Sequence, residues 1–406
     1  MSTSAAFTER GDRTHGGKVP RSIRALDGQP HRAFNSLTGM TSRLLASLDE
    51  RIARASDPLE DACLRAERAS LLARQGHLDL ARAELAALHA RFDQNPSVVV
   101  SAWVSVAEGL VMYFSNLGGL ARDKMLRALA LSTAAQVCEL EALGAAWLAQ
   151  MDFAHMDLDR MTRNVVLALQ RAAPDHHSAR SRACLVAAQA YHWAERLDLS
   201  LPWYARARQH ATSEGDEAML SALMHNMAWM RAAAARRLSV CGVLDQESVR
   251  QAQAGADSVN HFDCLVGTAS LSSLVPILRG QVLVLCGRYK EALLVFDEYI
   301  PMSVTDGLSR MMCSIFADVA WCRIKTGDTA GARKSALVAL ESINAETQID
   351  DRAMTHSRLA QVYATLGDSD TADDHRRLGR DDWRVHSQRQ LDLVETLNRS
   401  LEKNSP

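Results

Sequence analysis

Apolar residues return every three or four positions along most of this chain, with polar residues between them, and that spacing predicts amphipathic helices rather than strands. β-branched runs are short, Val98-Val99-Val100 being the clearest. A longer period lies on top of the helical one. Small residues recur at Ala69, Gly109, Ala149, Ala188, Ala228, Gly280, Ala320 and Ala360, spaced 40, 40, 39, 40, 52, 40 and 40 residues apart. The next residue is Ser70, Leu110, Gln150, Gln189, Trp229, Gln281, Trp321 and Gln361, so Gln fills that position four times and Trp twice. Gly76, Gly287, Gly327 and Gly367 each follow their small residue by seven positions, where glycine lets a helix end in a left-handed turn. Ala81, Ala121, Ala292, Ala332 and Ala372 keep the same register on a second helix. Independent markers in one register predict a repeated helix hairpin.

Helix packing explains the pattern. A small residue in mid-helix lets the partner helix approach, and larger residues such as Leu72 with Leu85, or Leu283 with Phe296, fill the flanks. One hairpin leaves a face open, and stacking the next hairpin buries it. The expected fold is all-α, a right-handed superhelical solenoid of about eight helix pairs over residues 37–380 with a period near 40. The 52-residue spacing marks an irregular insertion around 236–273, punctuated by Gly242, Gly255 and Gly267, where Asp245 before Glu247 and Ser248 predicts a helix start and an extra turn or short helix. Residues 1–36 are polar and Arg-rich and read as a disordered or weakly ordered leader. Residues 381–406 carry the apolar stripe Val385, Leu391, Val394, Leu397 and Leu401, which predicts a helix that either caps the array or pairs two chains as a homodimer.

The run LRGQVLVLCGRYKEALLVFDEYI, Leu278 to Ile300, places Gly280, Leu283, Gly287, Tyr289, Ala292 and Phe296 at tetratricopeptide consensus positions. Together with PWYARARQHATSEGDEAML and ALMHNMAWMRAA, it resembles the sensory tetratricopeptide arrays found ahead of diguanylate cyclase domains in proteobacteria. The resemblance spans roughly Leu64 to Leu401, with units longer than the usual period of about 34 residues. The Gly-Gly-Asp/Glu-Glu-Phe signature of the cyclase is absent from the sequence. The resemblance therefore implies a bacterial signalling adaptor or regulator without that enzymatic output.

Composition narrows the partners. Lys and Arg number 46 against 48 Asp and Glu, for a net charge of −2, and no basic stripe stands out, which argues against nucleic acid. The N-terminus lacks the apolar core of a signal peptide and no membrane span is read in the sequence, so a soluble, cytoplasmic protein is expected. None of the eight cysteines forms a Cys-x-x-Cys pair, and they read as buried reduced thiols. No P-loop, Gly-x-Gly-x-x-Gly or His-Glu-x-x-His motif occurs, and Asp152, His155, Asp157 and Asp159 read as an Asp-capped turn rather than a metal site. The expectation is a non-catalytic protein with no cofactor and no metal.

Binding residues are expected on the first helix of each pair, which lines the concave groove of such an array. The residue after each small marker, with neighbours three or four positions away on the same face, gives Gln150, Gln189, His192, Trp193, His225, Asn226, Trp229, Gln281, Trp321, Lys325, Arg358 and Gln361. Amides can bond a peptide backbone in either sense, and tryptophan adds contact area plus one donor. Trp229 and Trp321 read as groove because their repeat equivalents are Gln, whereas Trp193, near Tyr191, divides between core and groove. The leading expectation is an adaptor for a protein or peptide partner. The alternative is a sensor whose superhelix binds a small molecule or signalling peptide and controls a partner's activity. A deep aromatic pocket would favour the sensor and an open groove the adaptor.

Overall fold

The computed structural model describes residues 42–117, 119–266 and 273–402. The expected leader, 1–36, lies outside them. Among the described residues the chain is all-helical, with no strand. A first helix, α1 (Arg43–Arg54), precedes eight hairpins: α2 (Pro58–Arg74) with α3 (Leu78–Phe92), α4 (Val98–Asn116) with α5 (Leu120–Ala134), α6 (Cys138–Ala154) with α7 (Leu158–Arg171), α8 (His177–Trp193) with α9 (Leu197–Glu214), α10 (Glu217–Val240) with α11 (Gln246–Val266), α12 (Leu274–Leu285) with α13 (Tyr289–Thr305), α14 (Met312–Lys325) with α15 (Thr329–Glu341), and α16 (Ile349–Thr365) with α17 (Ser369–Glu402). Each first helix also packs on the first helix of the next hairpin, from α2 on α4 to α14 on α16.

All eight small residues that mark the register are buried, and so are Ala81, Ala121, Ala292, Ala332 and Ala372 on the second helices. Gly280 shows why the position must be small: a Cβ there would stand 2.6 Å from the Phe296 ring. Gly76, Gly287, Gly327 and Gly367 all have positive φ, and Met156 and Glu195 adopt the same left-handed geometry seven residues after Ala149 and Ala188. A left-handed residue that is not glycine costs on the order of 1–2 kcal/mol, so the hairpin geometry is imposed by packing even where the sequence resists it.

The long spacing is absorbed differently from expectation. α10 has 24 residues and α11 has 21, against 17 and 15 in α2 and α3, so both helices lengthen and no separate short helix is inserted in the described part. Asp245 does cap α11, accepting from the Ser248 N–H at 2.7 Å. α4 corrects a second expectation: it is long and apolar enough by composition to cross a membrane. Half of it is buried, with Ala102, Val106 and Leu110 packed in the core it forms with α2 and α5, and that packing accounts for its apolarity.

The hairpins curl back on themselves. α1 and α2 meet the start of α10, where Ser42 and Arg43 bond Glu217 and Arg74 pairs with Asp216 at 2.5 Å. Gly307 seats the turn before α14 against the end of α4, and a Cβ on it would fall 1.9 Å from the Asn116 carbonyl oxygen. Gln348, entering α16, donates to the Ala154 carbonyl at the end of α6 at 2.9 Å. The end of α10 is held against α14 and α16: Asp318, wholly buried, accepts from Arg236 and Arg358 at 3.0 and 2.9 Å, while Gln361 donates to the Ser239 and Val240 carbonyls.

α17 is one continuous helix, so no element begins at residue 381. Its buried positions are Ala372, His375, Gly379, Asp382, His386, Gln390, Leu393 and Leu397, a stripe at alternating three- and four-residue steps. It covers α16 and then crosses to α7 and α8, where Leu393 and Leu397 join the core with Phe153 and Trp193. Of the apolar stripe read from the sequence, Val394, Leu397 and Leu401 pack there, while Val385 and Leu391 are exposed. The helix thus caps an internal face as well as the last hairpin. Among the cysteines, Cys184, Cys313 and Cys322 are buried, but Cys138, Cys241 and Cys264 are exposed.

Candidate functional site

The curl surrounds a central, partly open cavity of about 320 Å³. Its walls come from the ends of α2, α4, α6 and α11, the length of α8 and α10, the starts of α12 and α16, the turn ahead of α14, and α17. Spacing on the first helices explains the lining. Trp147 and Gln150 on α6, and Arg182, Gln189 and Trp193 on α8, are three, seven and four residues apart, so each set shares one helix face. His225, Asn226 and Trp229 do the same on α10.

Seven of the residues picked from sequence line this space: Gln150, Gln189, His192, Trp193, His225, Asn226 and Trp229. Trp193 belongs to wall and core at once, being 8% exposed within the cluster that holds Leu393. The other five do not line it. Gln281 is buried inside α12's packing, and Trp321 packs between neighbouring hairpins, with exposed Lys325 and buried Arg358 at 5.0 and 5.5 Å from its ring. Arg358 and Gln361 are spent on Asp318 and on the α10 carbonyls. The long α10 packs against α12 and α16, and its C-terminal end takes up Arg358 and Gln361.

The aromatic wall is dense. Tyr113, Phe114 and Trp147 meet edge to face at 5.2–6.0 Å, and Trp193 and Trp383 both set their rings edge-on to His386, at 4.7 and 5.4 Å. The Arg182 guanidinium lies 4.0 Å over Trp147. Arg182 is 5% exposed, its Nε has no hydrogen-bond partner, and Asp216, already paired with Arg74, attracts it through space without a hydrogen bond. Burial, then neighbouring Arg74, pushes its pKa down to about 9, which leaves it charged at neutral pH. At the opposite end of α8, Trp193 donates to Asp350 Oδ2 at 3.4 Å, while Asp350 Oδ1 is buried without a partner. Burial and Asp350 raise the Asp351 carboxyl to about 6, although Ser314 donates to it at 2.7 Å.

Nine buried side-chain polar atoms lack a partner among the described residues, and six belong to residues of this wall: Arg74, Gln150, Arg182, Gln189, Asp350 and His386. Such an atom costs about 1–3 kcal/mol, so their gathering around one space lowers stability there. Burial holds His192 and His225 at about 4, neutral at physiological pH, with Arg231 adding to the shift at His192.

Sequence reasoning missed Arg182, Trp147, Asp350, Trp383 and His386. The first two carried a signal, lying seven residues before Gln189 and three before Gln150 on faces already identified. The others reach the cavity only through the curl, which no local pattern encodes. Asp152, by contrast, is tied to Arg122 and Asn164 at 2.7 Å, and Asp157 caps α7. Among the described residues no three His, Cys, Asp or Glu side chains gather as a metal site. No protein-family model matches the chain, and no curated protein matches it.

Proposed function

We propose that this protein is a non-catalytic sensor of the tetratricopeptide type, whose superhelix takes a small molecule or short peptide into its central cavity and thereby controls a partner's activity. The observation that carries this is Arg182: a nearly buried guanidinium, stacked on Trp147, that forms no ion pair among the described residues, since Asp216, the carboxylate that attracts it through space, is paired with Arg74. Buried charge without a partner is expensive, and a ligand bearing the missing charge is the economical reason for it. Eight successive hairpins, with the marker residues buried at their contacts, support the tetratricopeptide reading. Arg358 and Gln361, which an adaptor's open groove would present, are instead bonded to Asp318 and the α10 carbonyls, and this weighs against that alternative.

Thermal-shift screening of the full chain against metabolites and short peptides tests the reading. A true ligand raises the melting temperature, and Trp147→Leu and Gln189→Leu variants that keep their helicity lose the shift. A partner protein that binds equally well to both variants, with no ligand found, would return the molecule to the adaptor class.

A further inference from the structure

On the reading that the cavity takes a ligand, the opposite charges at the two ends of α8 define the ligand's class. Arg182 stands near the start of α8 and Trp193, which holds Asp350, at its end. Eleven residues of helix separate them, roughly 16 Å along the axis at about 1.5 Å per residue. The long Arg182 side chain shortens the gap. An extended peptide advances about 3.3–3.6 Å per residue, so three to five residues, on the order of one short peptide, bridge the two charges.

The wall between them suits a peptide backbone. Gln150 and Gln189 present buried amide oxygens with no donor, which is what backbone N–H groups supply. Asn226 adds a second kind of amide partner on α10. Arg310 also lines the cavity, within electrostatic reach of both Tyr113 and Asp351, and forms no ion pair among the described residues. Tryptophans at both ends give apolar surface for side chains.

We infer that the cavity binds a short unmodified peptide, its C-terminal carboxylate on Arg182 and its N-terminal ammonium on Asp350. A fork of guanidinium donors matches a carboxylate geometrically, and the Asp350 carboxylate, held on one oxygen by the Trp193 indole N–H, matches an ammonium by charge. A free amino acid is too short to reach both ends. A C-amidated or N-acetylated peptide leaves one charge unanswered.

Three mixtures of random tetrapeptides decide it: one with both termini free, one C-amidated, one N-acetylated. Native mass spectrometry of the full chain should retain peptides from the first and at least tenfold fewer from the other two. Arg182→Met and Asp350→Asn should each cut retention tenfold or more. Arg182→Met should melt no lower than the parent chain, because it removes a buried charge that has no partner. Equal retention of blocked and free mixtures would overturn the assignment, and so would an Asp350→Asn chain that binds as the parent does. If Arg182→Met unfolds, Arg182 is a structural residue and the carboxylate end is wrong. A chain that ignores every tetrapeptide but responds to a metabolite overturns the peptide and leaves the sensor standing. A chain that responds to neither overturns both.

Discussion

Asp318 offers a sharp test of how the curl is held. Its carboxylate is wholly buried and accepts from two guanidiniums, Arg236 Nε at 3.0 Å and Arg358 Nε at 2.9 Å, with Arg236 Nη2 also within 2.8 Å. Arg358 is 1% exposed and Arg236 5%. Asp318→Asn keeps the shape and removes the only negative charge among these three groups, leaving two like charges side by side in the interior. Breaking a buried pair in this way costs about 3–5 kcal/mol, because the orphaned charge is not returned to water. With roughly 350 ordered residues at about 2.1 cal/mol/K each, the unfolding entropy is near 0.7 kcal/mol/K, and the melting temperature should fall by about 4–7 °C. Circular dichroism melts of the two proteins measure it. The triple variant Arg236→Met, Asp318→Leu and Arg358→Met removes all three charges together and should recover most of that loss, since an apolar replacement of similar volume is often neutral. A drop under 1 °C for Asp318→Asn would mean the guanidiniums find other partners and that these bonds do not hold α10 against α14 and α16.

Two further outcomes follow from the same structure. Removing α17 after Gly379 uncovers Leu393 and Leu397 sites on α7 and α8 and takes Trp383 and His386 from the cavity wall, so the shortened chain should melt several degrees lower and bind the apolar dye ANS; an unchanged melt would show that the crossing helix is not part of the fold's support. His192, His225 and His356, held at about 4 mainly by burial, lie below their unfolded value of about 6.5, so the stability they contribute is complete above pH 6.5 and is lost as pH falls toward 4. Glu67 and Asp351, raised to about 7 and about 6 by burial, act in the opposite sense and blunt the slope without reversing it. Melting temperature should decline from pH 6.5 to pH 4, and His225→Gln should flatten the decline, because burial alone sets that shift; a steeper decline in the variant would contradict the assignment.

Close packing was legible in the sequence because it leaves few choices. Gly280 must be small under Phe296, and Ala320 and Ala332 must be small where α14 meets α15, so residue size alone reports the register. The cavity residues on α6, α8 and the first half of α10 were legible for a related reason: they project from the inner face of consecutive hairpins. What could not be read is the angle between one hairpin and the next, which accumulates along the array. That angle brings Gln348 to the end of α6 and Asp350 to Trp193, and it turns Arg358 and Gln361 from groove residues into ties on α10. The buried stripe of α17 was hidden by chemistry. Five of its eight positions are His375, Gly379, Asp382, His386 and Gln390, while apolar Leu391 is 66% exposed, so hydropathy points to the wrong face. Asp382 is buried because Arg352 forks onto it at 2.6 and 2.9 Å, a partnership visible only once α16 and α17 are antiparallel.

The molecule buries charge in two ways, and the contrast between them bears on function. Where hairpins are tied together, the buried charges are answered: Asp318 by Arg236 and Arg358, and Asp382 by the half-exposed Arg352. Around the cavity, Arg182 and one oxygen of Asp350 are not, and the amide oxygens of Gln150 and Gln189 are equally bare. A fold that satisfies its ties so fully has no physical difficulty in satisfying such groups; methionine at 182 and leucine at 189 would serve packing as well. Retaining six such atoms, at about 1–3 kcal/mol apiece, around one partly open cavity concentrates the loss of stability there. Trp193 then connects that place to the rest. It lines the cavity, donates to Asp350, meets His386 edge-on, and through its carbonyl holds Gln390 of α17 at 2.6 Å. Whatever draws Asp350 toward the cavity competes with the Trp193 bond, and α17 is the element that rests on the other side of that residue.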